Sequence, residues 1–442
     1  MDSETLYLYF TRTGTFPPAQ SALTLKDQEL TQGRVGHTVT ATNQNQVVIA
    51  GGGLPAGGGD LVGSWWLGEG LASLTSIEGL DETTHELRSH RYCDPTLCQQ
   101  GKIPAEACDF DGCMDGMNYA RMWHTATALP TGQVVLAGGY TSDVFGEPIP
   151  LADGQGGGVV EVYDPTVGEK VDILQYSLSK ARAGHTATLI DPVDFQILFL
   201  GGDLDGSATY EIWSPYSGSS GAQPLPDGVP RRHHTATLFE VPWTGTSAVL
   251  VAGGQSSTSA LGSILVYDVG SGLMVPKPYG LPRGPRTHLS AGLDAESGYI
   301  HLVGGFTDAH HTAPSDAIDV YDIHQDECLE GVGQLSLTTA RGAHATAVTS
   351  SGEVIITGGV AVNGAGLQTA ESITRQYVQL GDGESVLKIE HSALPSMMPT
   401  GRLGHRSVTT NTGLVLLVGG MQGGGGGNSV SPVLGLDVYN PY

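Results

Sequence analysis

Basic residues are scarce in this chain. Twenty lysines and arginines stand against 45 aspartates and glutamates over 442 residues, a formal net charge of −25. No lysine or arginine cluster interrupts the deficit. That excludes double-stranded nucleic acid and anionic membrane surfaces as partners, since both require a positive footprint. A cation or a cationic partner is attracted, and the charge also keeps a low-lysine surface soluble. Long apolar runs are missing too. No stretch of about 18 apolar residues is present, so no transmembrane segment is expected. The start, "MDSETLYLYF", lacks the basic residues and apolar run of a signal peptide. No G-x-x-x-x-G-K-[ST] motif and no strand–G-x-G-x-x-G–helix context occurs, so the glycines are not nucleotide loops.

What the chain has in excess is glycine, 65 residues without a Gly-X-Y period. Such glycine points to many tight turns between short strands. An apolar content of 39% is enough for a core.

A period organises these residues. The motif R-x-x-H followed by small and polar residues recurs at Arg34–His37, Arg121–His124, Arg182–His185, Arg231–His234, Arg341–His344 and Arg402–His405. A seventh copy, "PRTHLSA", is aligned on His288 and has Pro285 in the arginine position. Between 14 and 19 residues after each histidine an apolar run ends in Gly-Gly, as in "VVIAGG" and "ILFLGG". Most copies continue to a third run with an aromatic, as in "VEVYDP", "YEIWSP" and "LDVYNP". Alternation, β-branched residues and Gly/Pro/Asp turns make these runs strands. The mean step between histidines is about 61 residues, which fits one four-stranded blade per repeat.

The R-x-x-H strand, the Gly-Gly strand and the aromatic strand resemble kelch repeats over nearly the whole chain. The resemblance implies an all-β fold, one seven-bladed β-propeller of four-stranded antiparallel blades over residues 1–442. The tryptophan that often opens the fourth strand of a kelch blade is absent; "VDILQYSL" and "SVLKIEHS" stand in its place. The chain stops at "GLDVYNPY", a third strand. The N-terminal stretch, "SALTLKDQEL" or "TLYLYF", is therefore expected to close the ring as the outer strand of the last blade, because an open ring leaves strand edges exposed.

One histidine type repeated seven times around a ring argues for a framework role. A general base is one residue at one place, and a metal site needs ligands that converge. The histidines are expected to bond backbone groups of their own blade or the next. The arginines are expected at the turn before the strand, bonding carbonyls or a neighbouring acid. The Gly-Gly pairs allow a bend or the close approach of another backbone.

The step from His37 to His124, 87 residues, exceeds all the others. With "GSWWLGE" and "LASLTSIE" completing blade 1, the surplus is an insertion at about 80–117. It holds Cys93, Cys98, Cys108 and Cys113 in a C-x4-C-x9-C-x4-C pattern. Two disulfides are expected, in any of three connectivities; a structural zinc site or free thiols are the rivals, and zinc usually takes tighter C-x2-C pairs. Disulfides imply an oxidising, extracytoplasmic compartment (secreted, periplasmic or cell-surface), with the export signal outside this sequence. Cys328 is left over as a free thiol. Asp109, Asp111 and Asp115 in "DFDGCMDG" have the look of a short calcium loop, the one cofactor this reading admits. The bidentate acid that closes a full loop is missing, and a solvated Asp/Gly turn is the alternative. His85 and His90 in "HELRSH" are five apart, one more than the zincin pattern requires. The pairs His233–His234 and His310–His311 break the period, and the second lies in a loop, "FTDAHHTAP", suited to line a ligand site.

Propellers host binding modules and enzymes alike. The favoured reading is a non-catalytic, extracytoplasmic scaffold for recognition or adhesion, with a protein or glycan ligand held by loops around the channel. Some kelch-type propellers resemble copper radical oxidases, which use a tyrosine cross-linked to a cysteine; the candidate here, Cys328, is expected toward the outside of its blade. A sugar epimerase or mutarotase needs only one or two polar groups in the funnel. An intracellular kelch adaptor usually adds a helical domain, and none is visible.

Overall fold

The repeat closes into a ring because each innermost strand touches the innermost strands of two neighbours and the seventh returns to the first. The computed structural model describes residues 24–55, 71–84, 86–90, 116–143, 146–166, 172–173, 176–329, 335–379, 385–394, 398–423 and 430–440. Among them there is no helix, hence none long and apolar enough to cross a membrane. The chain is a seven-bladed β-propeller. From the axis outward, blade 1 is Thr38–Ala41, Gln46–Ala50, Ile77–Asp81 and Leu87–His90. Blades 2 to 6 repeat this antiparallel order, with innermost strands Thr125–Ala128, Thr186–Asp191, Thr235–Glu240, Ser290–Asp294 and Ala345–Val348. Blade 7 runs Arg406–Thr409, Val415–Val418 and Gly435–Tyr439, and its outer strand is Thr24–Glu29 from the N-terminal part of the chain. Of the two stretches named for that role, "SALTLKDQEL" supplies it.

The Gly-Gly runs are continuously apolar because the second strand of each blade is buried on both faces, between neighbouring sheets. Alternate residues face opposite neighbours. Val47 and Ile49 pack on Leu416 and Val418 of blade 7, while Val48 and Ala50 pack on Val134 and Leu136 of blade 2. The core is thus seven interblade layers, not one centre. The third-strand aromatics, Tyr163, Trp213, Tyr267, Tyr321 and Tyr439, are buried against the preceding blade. They fill the wedge that widens as blades diverge from the axis.

One boundary differs from the sequence reading. The third strand of blade 1 is Ile77–Asp81 and the fourth Leu87–His90, so these residues of the 80–117 segment belong to the blade, with Leu80 paired to Leu87. The stretch "GSWWLGE", Cys93, Cys98, Cys108, Cys113, Asp109, Asp111, Asp115 and His85 lie outside the described residues.

Candidate functional site around the propeller axis

Each blade buries an arginine against an acid. The pairs are Arg34–Glu78, Arg121–Glu161, Arg182–Glu211 with Asp203, Arg231–Asp227, Arg286–Asp319, Arg341–Glu371 and Arg402–Asp437. In six blades the acid stands on the third strand, just before the aromatic layer. Blade 4 carries Leu265 at that third-strand position, and Asp227, four residues before Arg231, replaces the acid. The same guanidinium donates to the carbonyl of the first glycine of the Gly-Gly pair, as in Arg121 to Gly138 at 3.0 Å and Arg341 to Gly358 at 2.8 Å. Burial lowers the pKa of Arg34, Arg121, Arg286, Arg341 and Arg402, and the paired carboxylate opposes it. A buried pair of this kind is costly to break from one side.

The second glycine stitches blades together. Its N–H donates to the carbonyl of the next blade's arginine in all seven steps, from Gly52 to Arg121 at 2.8 Å round to Gly420 to Arg34 at 2.9 Å. At the first glycine, Gly138, φ is 63°, and a Cβ would lie 2.5 Å from the Arg182 carbonyl oxygen. Close approach of a second backbone is therefore the reason for the pair.

The histidines bond backward. Nε2 of His124 meets Thr38 Oγ1 at 3.1 Å, His185 meets Thr125 at 3.0 Å, His234 meets Thr186 at 2.9 Å and His344 meets Ser290 at 2.7 Å. The acceptor or donor is a hydroxyl of the preceding blade, not the backbone group expected from sequence. Blade 6 carries Ala345 in the hydroxyl position, and His405 turns to Thr357 at 2.9 Å. Blade 7 carries Arg406 there, and His37 takes the Val418 carbonyl at 3.2 Å. Burial pulls all six imidazoles far below their ordinary pKa, His185 and His344 to about 3, with neighbouring arginines adding to the effect. They are neutral frame members, and among the described residues no three His, Cys, Asp or Glu side chains converge as metal ligands.

Blade 5 corrects the sequence register. Arg286, not Pro285, holds the arginine position: it pairs with Asp319, and its carbonyl accepts the Gly254 N–H at 2.9 Å. Leu289 then fills the histidine position, against Gly253. His288 moves one place back, to the residue that has positive φ in every blade: Gly36, Trp123, Gly184, His233, His288, Ala343 and Gly404. In blade 5 a histidine thus stands one residue before the position that holds it in the other six.

These seven left-handed residues form a collar at the Gly-Gly end of the channel. Backbone hydrogen bonds link them between blades, as in Trp123 N to Gly36 O and His233 N to Gly184 O, both 2.8 Å. Glycine leaves room that a neighbour fills, Trp123 lying over Gly36 and His233 over Gly184. Trp123 meets His233 edge-on at 5.6 Å, His233 stacks on His288 at 4.1 Å, and His288 meets His311 edge-on at 4.5 Å. His311 Nε2 contacts Gln255 Oε1 at 2.7 Å, whereas His310 is exposed. The pair singled out in the sequence is thus split: His311 joins the axial cluster and His310 does not.

Two cavities flank the collar. Outside it, on the Gly-Gly face, a pocket of about 220 Å³ is lined by Tyr140, Asp203, Arg232, Gln255, Ser256 and Ser257 among others. The Tyr140 hydroxyl bonds Arg232. Inside, a channel cavity of about 430 Å³ is walled by the innermost strands of all seven blades. Cys328 is a buried free thiol on the outer strand Glu327–Cys328 of blade 5, pushed up to about 12 by burial and neighbouring carboxylates. Comparison with models of known protein families finds no match, and comparison with curated proteins finds none either.

Proposed function

We propose that this protein is a non-catalytic recognition propeller of the kelch type, working outside the cytoplasm and binding a glycan at its Gly-Gly face. One observation carries the reading: the residues that break the sevenfold repeat gather on one side of that face. At the positions flanking the collar, blades 1, 6 and 7 carry Val35, Val360, Leu403 and Met421, which are buried and apolar. At the same positions blades 2 to 5 combine the buried apolar Met122, Ala183 and Phe306 with Tyr140, Asp203, Arg232, Gln255 and Thr287, so every polar side chain at these positions comes from those four blades. A hydroxyl-rich rim with planar guanidinium and amide groups beside a tyrosine suits a sugar, which offers many hydroxyls and an apolar ring face. The pocket accommodates a single sugar unit. The extracytoplasmic placement rests on the four clustered cysteines of the insertion.

A glycan array probed with the labelled protein, followed by calorimetric titration of any hit, tests this. Binding that falls in Arg232→Ala and Gln255→Ala, without conversion of the sugar, supports it. Conversion of the bound sugar makes the protein an enzyme of the epimerase or mutarotase kind. Absence of glycan binding, or binding unchanged in both variants, overturns the reading.

A further inference from the structure

The residue after each histidine position is Thr38, Thr125, Thr186, Thr235, Ser290, Ala345 and Arg406 around the ring, and all but Thr235 line the channel cavity. Six are small and neutral. The seventh places a guanidinium inside the propeller. Arg406 extends into the channel, where the surrounding wall partly desolvates it, and it stays solvent-accessible because its surface opens onto the channel cavity. The cavity lining contains no aspartate, glutamate or lysine. Arg406 Nε donates to the His37 carbonyl at 3.3 Å, and among the described residues no carboxylate pairs with it. The contrast with the seven framework arginines is direct, since each of those has an acid. For Arg406 burial lowers the pKa and no carboxylate opposes the shift.

A charge held in a channel without a counter-charge is less well solvated than one at an open surface, and in a chain of net charge −25 no acid is placed beside it among the described residues. Two more donors in the cavity lining lack a partner. Ser407 Oγ and Trp123 Nε1 are both buried without one, and both line the cavity. Water can satisfy a hydroxyl or an indole N–H; it cannot neutralise a guanidinium. An oxyanion does both, and guanidinium presents a planar fork matched to it.

We propose that the axial cavity is a binding site for a small organic anion, whose carboxylate or phosphate group pairs with Arg406 and accepts from the neighbouring donors. The site is separate from the glycan pocket, on the other side of the collar.

The test uses the full chain at pH 7.5 in a low-chloride buffer, titrated by calorimetry and thermal shift. The probes are inorganic phosphate, succinate, glucuronate and glucose 1-phosphate, with glucose as the neutral control. At least one anion is expected to bind saturably at one per chain. Arg406→Thr, which installs the residue four other blades carry, is expected to weaken that binding by at least about 30-fold while the unliganded protein melts no lower. Arg406→Lys keeps the charge and weakens binding less, which separates lost recognition from lost fold. The carboxylate and phosphate arms identify the oxyanion. Arg232→Ala leaves anion affinity unchanged, so failure here and failure of the glycan reading are distinguishable. Absence of saturable anion binding, equal binding of glucose, or undiminished affinity in Arg406→Thr overturns the proposal.

Discussion

The framework histidines make the propeller acid-labile, and His185→Leu measures by how much. Blade 5 supplies the precedent, since Leu289 already fills this position. In the fold His185 is neutral down to about pH 3, against an ordinary 6.5. The unfolded chain therefore binds a proton that the folded chain refuses between those values. Stability from this group is complete above pH 6.5 and is lost as pH falls toward 3. At pH 5 the loss is roughly 2 kcal/mol for one such histidine. Six histidines share this burial and the same downward shift, so their losses add in one direction against a typical total stability of about 5–15 kcal/mol. Replacing His185 by leucine removes its bond to Thr125 and costs about 1 kcal/mol at pH 8. The variant should then be the less stable protein at pH 8 and the more stable one at pH 5, with the two stability curves crossing between. Urea unfolding followed by intrinsic fluorescence at half-unit pH steps reads this directly. A stability difference between variant and parent that does not change from pH 8 to pH 5 would refute the reasoning, because His185 would then titrate alike in both states.

Leu289→His should be tolerated at pH 8, where the new imidazole can reach Thr235 of the preceding blade, and should steepen acid unfolding by one further proton. Equal steepness to the parent in the same titration would argue against the backward bonding rule. Glu161→Gln leaves the buried Arg121 without its counter-charge and should cost about 3–5 kcal/mol in urea unfolding; a loss below 1 kcal/mol would show the pair to be dispensable. Gly138→Ala forces a Cβ against the Arg182 carbonyl at positive φ and should destabilise by at least about 1–3 kcal/mol, read as a lowered thermal midpoint. Intact mass after alkylation, with and without reductant, should report four cysteines protected as disulfides, and Cys328 alkylated only once the fold is opened.

The sevenfold period, the four-stranded blade and the closing N-terminal strand were legible because each is a property of pattern. Arginine, Gly-Gly and aromatic recur at spacings that strands and turns impose, and an open ring needs an outer strand from somewhere. The acid partners were visible too, as the Glu or Asp inside "VEVY", "YEIW" and "LDVY", but nothing in spacing alone joins them to an arginine some 30 to 45 residues earlier. The backward direction of the histidine bonds was not legible, since it depends on how adjacent blades are rotated. Nor was the register of blade 5, where His288 imitated a motif whose true anchors are Arg286 and Leu289. The signal that could have found Arg406 was present as the one charged residue among seven aligned positions after the histidine.

The sequence by itself determined the ring. Burial of second strands on both faces, a Cβ-free site at each stitch and one buried arginine per blade are local requirements, and local requirements repeat in the residues that meet them. Only the tertiary structure decided what lies at the axis. There, single residues from blades far apart in the chain are brought within a few ångströms, Trp123, His233, His288 and His311 in the collar, while Arg406 shares one channel cavity with residues of the other blades. Their meaning comes from sevenfold convergence, a relation between strands that no single stretch of chain contains.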